Sequence, residues 1–332
     1  MLSFFRTNQL AAGALLIFYA AILHLSSLLS PDQSAMPAAD QAGILGYWLY
    51  PLTGTQGLLP TLLTIVLLSL QAVLINVLVS NHRLASEVSL FPGLFYILIA
   101  SSLPSFLCFS PIHLANTFLL IALGGLMNTY KQSSCADLIF NVGLWMGVAS
   151  LFYPPFILLF FVGMAGLNVL RAYKIRERLM LLAGMATPYL LTALYCFWNN
   201  ELSLFLDLQI FKPFEFWSFA KHEVLWEIVV ELVYWFLLIL IAIGSAGAYD
   251  FKMQLQVQKK ISILYWALLF AGLSTCIQKE ASVEHLLVTA APLGIMISFN
   301  FILVSKRWAE MLHLVLLVLI LCWQYKGYFM GA

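Results

Sequence analysis

The stretch Leu58-Leu-Pro60-Thr-Leu-Leu-Thr-Ile-Val-Leu-Leu-Ser-Leu-Gln71-Ala-Val-Leu-Ile-Asn76-Val-Leu-Val79 decides the fold. It contains no charged residue, and its apolar side chains are continuous rather than alternating. A helix needs about 20 mostly apolar residues to cross a bilayer, whereas a membrane barrel strand alternates apolar and polar positions over about 10. The stretch therefore reads as a helix solvated by lipid. The same texture runs outward in both directions, in apolar runs of roughly 16 to 22 residues separated by short polar connections. Eleven candidate spans follow: 10–29, 58–79, 90–108, 113–129, 138–153, 155–170, 179–198, 224–247, 262–277, 286–304 and 309–324. The whole chain is 62% hydrophobic and 9% charged, with mean hydropathy +0.94, against about 45–50% apolar and about 25% charged in soluble domains. The expected architecture is all-α: one integral membrane domain over residues 1–332, a polytopic bundle with short surface-lying helices on its outer face.

Pro154-Pro155 divides 138–153 from 155–170. Proline stops a preceding helix and starts a following one, which predicts a tight outer turn between two short spans; a kinked or re-entrant pair is the alternative. The first span reads as a retained signal anchor.

Lys and Arg set the orientation. With the N-terminus cytoplasmic, twelve of the 16 fall on inner connections: Arg6, Arg83, Lys131, Arg171, Lys174, Arg176, Arg178, Lys252, Lys259, Lys260, Lys306 and Arg307. Lys212, Lys221, Lys279 and Lys326 fall outside, and so does the C-terminus. A missed span would swap every later side and destroy this bias. The location implied is a bacterial inner membrane.

Net charge is +1, so nucleic acid binding has no support. The basic run Arg171 to Arg178 reads as an anchor at an anionic inner surface. Cys108, Cys135, Cys196, Cys276 and Cys322 form no C-x-x-C pair and no zinc spacing. They read as small apolar fillers, with a disulfide between outer-end cysteines left open. Phosphate-binding loop, dinucleotide fingerprint, H-E-x-x-H and G-x-S-x-G are absent, which excludes the common ATPase and zinc protease types. No cofactor is expected, and a divalent metal is left open.

The remaining chemistry lies on the outer connections. The first carries Asp32 and Asp40, followed by the aromatic, amphipathic piece Ile44 to Tyr50, which suits the headgroup zone. A carboxylate held there is a candidate general base for an acceptor hydroxyl; the competing reading makes both residues helix or turn caps. His24 lies just inside the first span, as a site residue or as a helix–helix hydrogen-bond partner. The second connection, 199–223, is too apolar for a solvated loop, and its Lys212 and His222 are candidates to hold a lipid phosphate. Snorkelling toward headgroups is their alternative. Lys279 and His285, on the third, suit charge developing on a phosphate leaving group, or simple anchoring. Glu223, Glu227 and Glu231 recur at i, i+4 and i+8 on one helix face, over about 12 Å of axis. Acids inside a span mark a site or a partner: a cavity reaching in from the outer face, a proton or cation path, or contact with a basic residue of another helix.

The chain resembles a family of polytopic inner-membrane proteins of Bacteroidota. The resemblance rests on Met1-Leu-Ser-Phe-Phe-Arg6-Thr-Asn8, Phe152-Tyr153-Pro154-Pro155, the basic stretch Arg171 to Arg178, and Gly184-Met-Ala-Thr-Pro188-Tyr189. More loosely, its layout is similar to the membrane-embedded glycosyltransferases of the C superfamily (GT-C). Those enzymes take sugar from a polyprenyl-phosphate carrier on the outer side and place an acidic residue in the first outer loop, before surface-lying helices. Asp32 and Asp40 occupy the matching loop, eight positions apart rather than adjacent. The resemblance implies a lipid-linked sugar donor, with mannose as one sugar, Asp32 or Asp40 as base, Lys279 and His285 on the carrier phosphate, and Glu227 shaping the cavity. Two rivals stand beside this reading. One is a non-enzymatic scaffold with a protein partner in the membrane. The other is a transporter using Glu227 and Glu231.

Overall fold

The computed structural model describes residues 2–6, 10–30, 42–54, 56–211, 213, 226–245, 247, 254–277 and 282–326. Among the described residues there are helices and turns and no strand. The helices are α1 (Leu2–Phe5), α2 (Leu10–Leu23), α3 (Leu25–Leu29), α4 (Ile44–Thr53), α5 (Leu58–His82), α6 (Phe91–Ala100), α7 (Pro111–Asn128) and α8 (Ala136–Phe152). They continue with α9 (Leu159–Leu170), α10 (Ile175–Trp198), α11 (Leu202–Leu206), α12 (Trp226–Gly244), α13 (Leu255–Ser274), α14 (Ala290–Leu303) and α15 (Lys306–Gln324). Tight 3₁₀ turns occupy Pro104–Leu107, Pro154–Leu158 and Val283–Thr289, and a π turn, Asp207–Phe211, continues α11.

Among the described residues, five helical stretches are long and apolar enough to cross a membrane: Leu58–His82, Pro111–Asn128, Ile175–Trp198, Val283–Leu303 and Lys306–Gln324. Other apolar runs form shorter helices. The expected span 90–108 is a helix only over α6. A 3₁₀ turn begins at Pro104, because proline lacks the amide that would continue the ladder. Tyr153 is extended, and the turn Pro154–Leu158 then leads directly into α9.

The decisive helix shows how polar residues are carried in a lipid-solvated bundle. In α5, Thr61, Thr64 and Ser69 donate to the carbonyls of Gly57, Pro60 and Ile65 at 3.0, 3.0 and 2.7 Å, so each hydroxyl is satisfied by its own helix. Gln71 is fully buried; it accepts from the Tyr96 hydroxyl and donates to the Thr117 hydroxyl and the His113 carbonyl. Asn76 accepts from the Gly93 amide at 2.8 Å. The helix stops at Arg83, in the left-handed region at φ 52.

Lipid tails are as apolar as leucine, so close packing and buried hydrogen bonds hold such a bundle rather than water exclusion. The α8–α10 crossing meets this need with small residues. A Cβ on Gly143 would strike the Leu181 carbonyl oxygen, and one on Gly184 would strike that of Phe140. A Cβ on Gly147 would sit 2.6 Å from the Met185 carbonyl oxygen. Helix α6 is buried along its whole length, and a Cβ on Gly294 of α14 would come 2.7 Å from Tyr96 Cα. Large side chains are exposed on outward faces, including Leu190, Leu191 and Leu194 of α10, Val233, Phe236 and Leu237 of α12, and Leu314 and Val318 of α15. This is the surface that lipid covers.

Long-range contacts separate the two ends of the bundle. At one end Arg6 meets Glu87 at 3.1 Å, Lys260 meets His82 at 3.0 Å, and Arg171 reaches the Thr129 and Gln132 carbonyls at 2.8 and 2.7 Å. At the other end the Gly43 amide bonds the Phe152 carbonyl at 2.9 Å, Asn116 bonds the Leu287 carbonyl at 3.1 Å, and Gln324 bonds that of Ser101 at 2.6 Å. Each contact joins connections, or span residues nearer to them, that the alternating reading puts on the same side. The first is called the basic end below, and the second the opposite end.

Candidate functional site

The opposite end is closed by α4. Its approach depends on Gly43, where a Cβ would strike the Leu151 carbonyl oxygen. The Ile44 amide then donates to Gln209 Oε1 at 3.2 Å, and Gln209 Nε2 donates to the Ser150 carbonyl at 2.6 Å. Tyr189 donates to the Ser150 hydroxyl at 2.8 Å. On the other side of α4, a Cβ at Gly46 would lie 3.0 Å from Pro111, the first residue of α7. The aromatic piece expected near the surface is thus a helix laid across the ends of α7 and α8, from Ile44 through Thr53.

Beneath α4 lie polar side chains from several segments. Tyr153 Oη and His285 Nδ1 are 2.9 Å apart, with rings stacked at 5.9 Å and 27°. Tyr153 is placed by the break at Pro154, and His285 by the 3₁₀ turn Val283–Thr289, whose cap Ser282 accepts from the Glu284 amide at 3.3 Å. Glu284 is only 7% exposed, and its charge acts on Tyr50 and Tyr153. Burial first, and the Glu284 carboxylate second, hold the Tyr50 phenol well above the usual range, so it stays protonated. Its buried hydroxyl has no hydrogen-bond partner among the described residues. Carboxylate, imidazole and two phenols therefore converge from α4, the α8 terminus and the 283–289 turn. Such a set can accept, hold and return a proton out of water.

Two further histidines adjoin this end. His24 forms the break between α2 and α3; its Nδ1 bonds the Ala20 carbonyl at 3.0 Å, and its buried Nε2 has no partner among the described residues. His113 Nε2 lies 3.2 and 3.1 Å from the Phe106 and Cys108 carbonyls, and its buried Nδ1 likewise has no partner among them. Since carbonyls accept only, each ring carries its proton on the bonded nitrogen.

Asp32, Asp40, Lys212, His222 and Lys279 lie outside the described residues, as does Glu223. Glu227 belongs to α12, with its side chain outside them. His285 is buried, within the turn Val283–Thr289. Glu231 occupies a separate place, a groove of about 210 Å³ lined by Ser102, Leu103, Tyr234, Leu316, Ile320 and Trp323, among others. It accepts from Trp323 Nε1 at 3.1 Å, and Lys326 lies over the Trp323 and Trp226 rings at 4.3 and 5.6 Å. The groove is apolar apart from these groups and sits near the start of α12, unlike the polar midplane cavity that the transporter rival requires.

Tyr50, Tyr153, Glu284 and His113 were not among the expected site residues. The adjacent pair Glu284-His285 and the Tyr153-Pro154-Pro155 sequence were the available signals, but burial beside one another cannot be read from either. Among the described residues no three His, Cys, Asp or Glu side chains gather to hold a metal. All five cysteines are free, with Cys108, Cys135 and Cys196 buried and Cys276 and Cys322 exposed.

No protein-family model matches the sequence, and no curated protein matches it. Among solved structures the fold is similar to the crystal structure of ArnT from Cupriavidus metallidurans bound to undecaprenyl phosphate, with TM-score 0.53 and 15% identity. The match covers 90% of this chain and 60% of that one, so the chain spans about 60% of its neighbour's length. The likeness is one of fold: the chain shares the helical architecture of that structure.

Proposed function

We propose that the chain is a membrane glycosyltransferase that takes a sugar from a polyprenyl-phosphate carrier at the outer face of a bacterial inner membrane. The observation that carries this is the fold likeness over 90% of the chain to a structure holding undecaprenyl phosphate. In this reading the chain crosses eleven times, its N-terminus and basic end face the cytoplasm, and α4 lies at the outer surface. Mannose is the proposed sugar.

In the reaction the acceptor oxygen attacks the anomeric carbon as its proton passes to a base, and the bond from that carbon to the carrier phosphate breaks. The leaving phosphate keeps the electron pair and gains negative charge. Asp32 or Asp40 is the proposed base. Lys279 is proposed to offset the phosphate charge, with Lys212 and His222 as further cations along the carrier. His285 acts from beneath, through its bond to Tyr153 and beside Glu284, and Glu227 shapes the cavity wall.

Mass spectrometry of the lipid that copurifies with the full chain tests the reading, comparing wild type with Asp32→Asn/Asp40→Asn and with Glu284→Gln. A bound polyprenyl phosphate or its sugar adduct is expected. Sugar-lipid accumulating in the aspartate variant places the base in the first connection, and accumulation only in Glu284→Gln moves it to the buried cluster. Bulk phospholipid alone, identical in all three, would favour the scaffold.

A further inference from the structure

The basic end holds a cation whose hydrogen bonds are incomplete. Arg171, at the end of α9, donates from Nε and Nη2 to both carboxylate oxygens of Glu177 at 3.0 and 2.9 Å. The Glu177 charge is thereby committed to Arg171, and that bond raises the Arg171 pKa. Arg178, one residue beyond Glu177 on α10, is 4% exposed. Its Nη2 donates to Asn168 Oδ1, but its buried Nε and Nη1 have no acceptor among the described residues. Glu177 Oε2 lies 3.9 Å from Nη1, too far for a hydrogen bond.

A buried guanidinium with idle donors is costly unless an acceptor reaches it. Its cover is light. The Tyr173 ring lies over it at 5.0 Å to the centroid, yet Tyr173 is itself 69% exposed and belongs to the short link before α10. Lys174 and Arg176 flank the place and are exposed. Directly beside it, Ile175, Leu179 and Leu182 form an exposed apolar stripe at i, i+4 and i+7 along α10. The elements are thus a planar cation with two donors that meet no acceptor among the described residues, two exposed lysine and arginine charges, the first turn of a long helix, and an apolar strip along its outer face.

We propose that this is a binding site for one anionic glycerophospholipid of the leaflet at the basic end, whose phosphodiester takes Arg178 Nε and Nη1 while an acyl chain lies along Ile175, Leu179 and Leu182. The planar fork matches two phosphate oxygens. The negative charge is further favoured by the α10 N-terminus, which has no side-chain cap. Tyr173 is the cover that the phosphate displaces. A free phosphate would use the same donors but leave the apolar strip unused, which is why the lipid is favoured.

The test is native mass spectrometry of the full chain in detergent, titrated separately with dioleoylphosphatidylglycerol and with dioleoylglycerol, which carries the same acyl chains without the phosphodiester. One phosphatidylglycerol should bind roughly tenfold or more tighter than dioleoylglycerol, the scale of a hydrogen bond to a charged group. Arg178→Gln should abolish that preference. Lys174→Gln/Arg176→Gln should reduce it only about threefold, as for exposed charges. A preference that survives Arg178→Gln, or that vanishes in Lys174→Gln/Arg176→Gln, would overturn the site in favour of a diffuse basic surface. Displacement of phosphatidylglycerol by millimolar inorganic phosphate would reassign it to a soluble anion. Should Arg178→Gln not fold, Tyr173→Ala leaves the guanidinium intact and removes its cover; tighter phosphatidylglycerol binding supports the proposal, and unchanged or weaker binding rejects it.

Discussion

Tyr153 Oη and His285 Nδ1 meet at 2.9 Å across 132 residues of sequence, with their rings stacked and Glu284 beside them. Their meeting ties the end of α8 to the turn before α14 beneath α4. Tyr153→Phe keeps the stack and removes one hydroxyl. Thermal unfolding should show a loss of about 1 kcal/mol. Transfer from a lipid-linked sugar should slow on the order of a hundredfold if the pair passes a proton. Full turnover together with a lowered melting temperature would reduce the pair to packing.

Glu284→Gln is nearly isosteric and removes the carboxylate that acts on Tyr50 and Tyr153. Transfer should fall by roughly 10²–10⁴ if the carboxylate works with His285. Normal sugar transfer by a folded Glu284→Gln protein would exclude the buried cluster from the chemistry.

The α8–α10 crossing should be intolerant of a single methyl. Gly143→Ala and Gly184→Ala each direct a Cβ at a carbonyl of the facing helix and should cost about 1–3 kcal/mol or more. Because they share one interface, their combined cost should depart from the sum. Gly272→Ala is the control: its Cβ meets nothing within 4 Å, and a helical alanine there should add about 0.5–1 kcal/mol. Detergent-phase unfolding followed by tryptophan fluorescence measures all three, and equal behaviour of Gly143→Ala and Gly272→Ala would refute the close approach.

Glu231 separates the enzyme from the transporter. Its carboxylate takes the Trp323 indole hydrogen at 3.1 Å in an apolar groove apart from Glu284. Trp323→Phe should cost about 1–3 kcal/mol by removing a donor from a carboxylate, and Glu231→Gln should leave sugar transfer within about twofold, as for a site away from the chemistry. Ion-coupled uptake into proteoliposomes that disappears in Glu231→Gln would transfer the function to the other reading.

Several features were legible in the residues themselves. The charge-free stretch Leu58 to Val79 announced a helix, which the structure extends to His82. Pro154-Pro155 announced a break, and Ile44 to Tyr50 an amphipathic piece. Less of the site was readable. Glu284 and His285 are neighbours in the chain and could be noticed together, but Tyr153 and Tyr50 join them only through packing. Gln71, mid-helix and polar, gave no hint that its partners would be Tyr96, Thr117 and the His113 carbonyl.

The sequence by itself determined that this is a chain of membrane helices, because a backbone in lipid must satisfy its own hydrogen bonds and continuous apolar runs leave only the helix to do so. The distribution of Lys and Arg also proposed which connections share an end. The tertiary structure alone decided where α6 stops short, which glycines let α8 and α10 touch, and which polar groups are buried together. Those outcomes depend on the shapes of facing helices rather than on the hydropathy of either. A bundle solvated by lipid is specified by close packing and a few buried hydrogen bonds, and neither leaves a periodic mark along the chain.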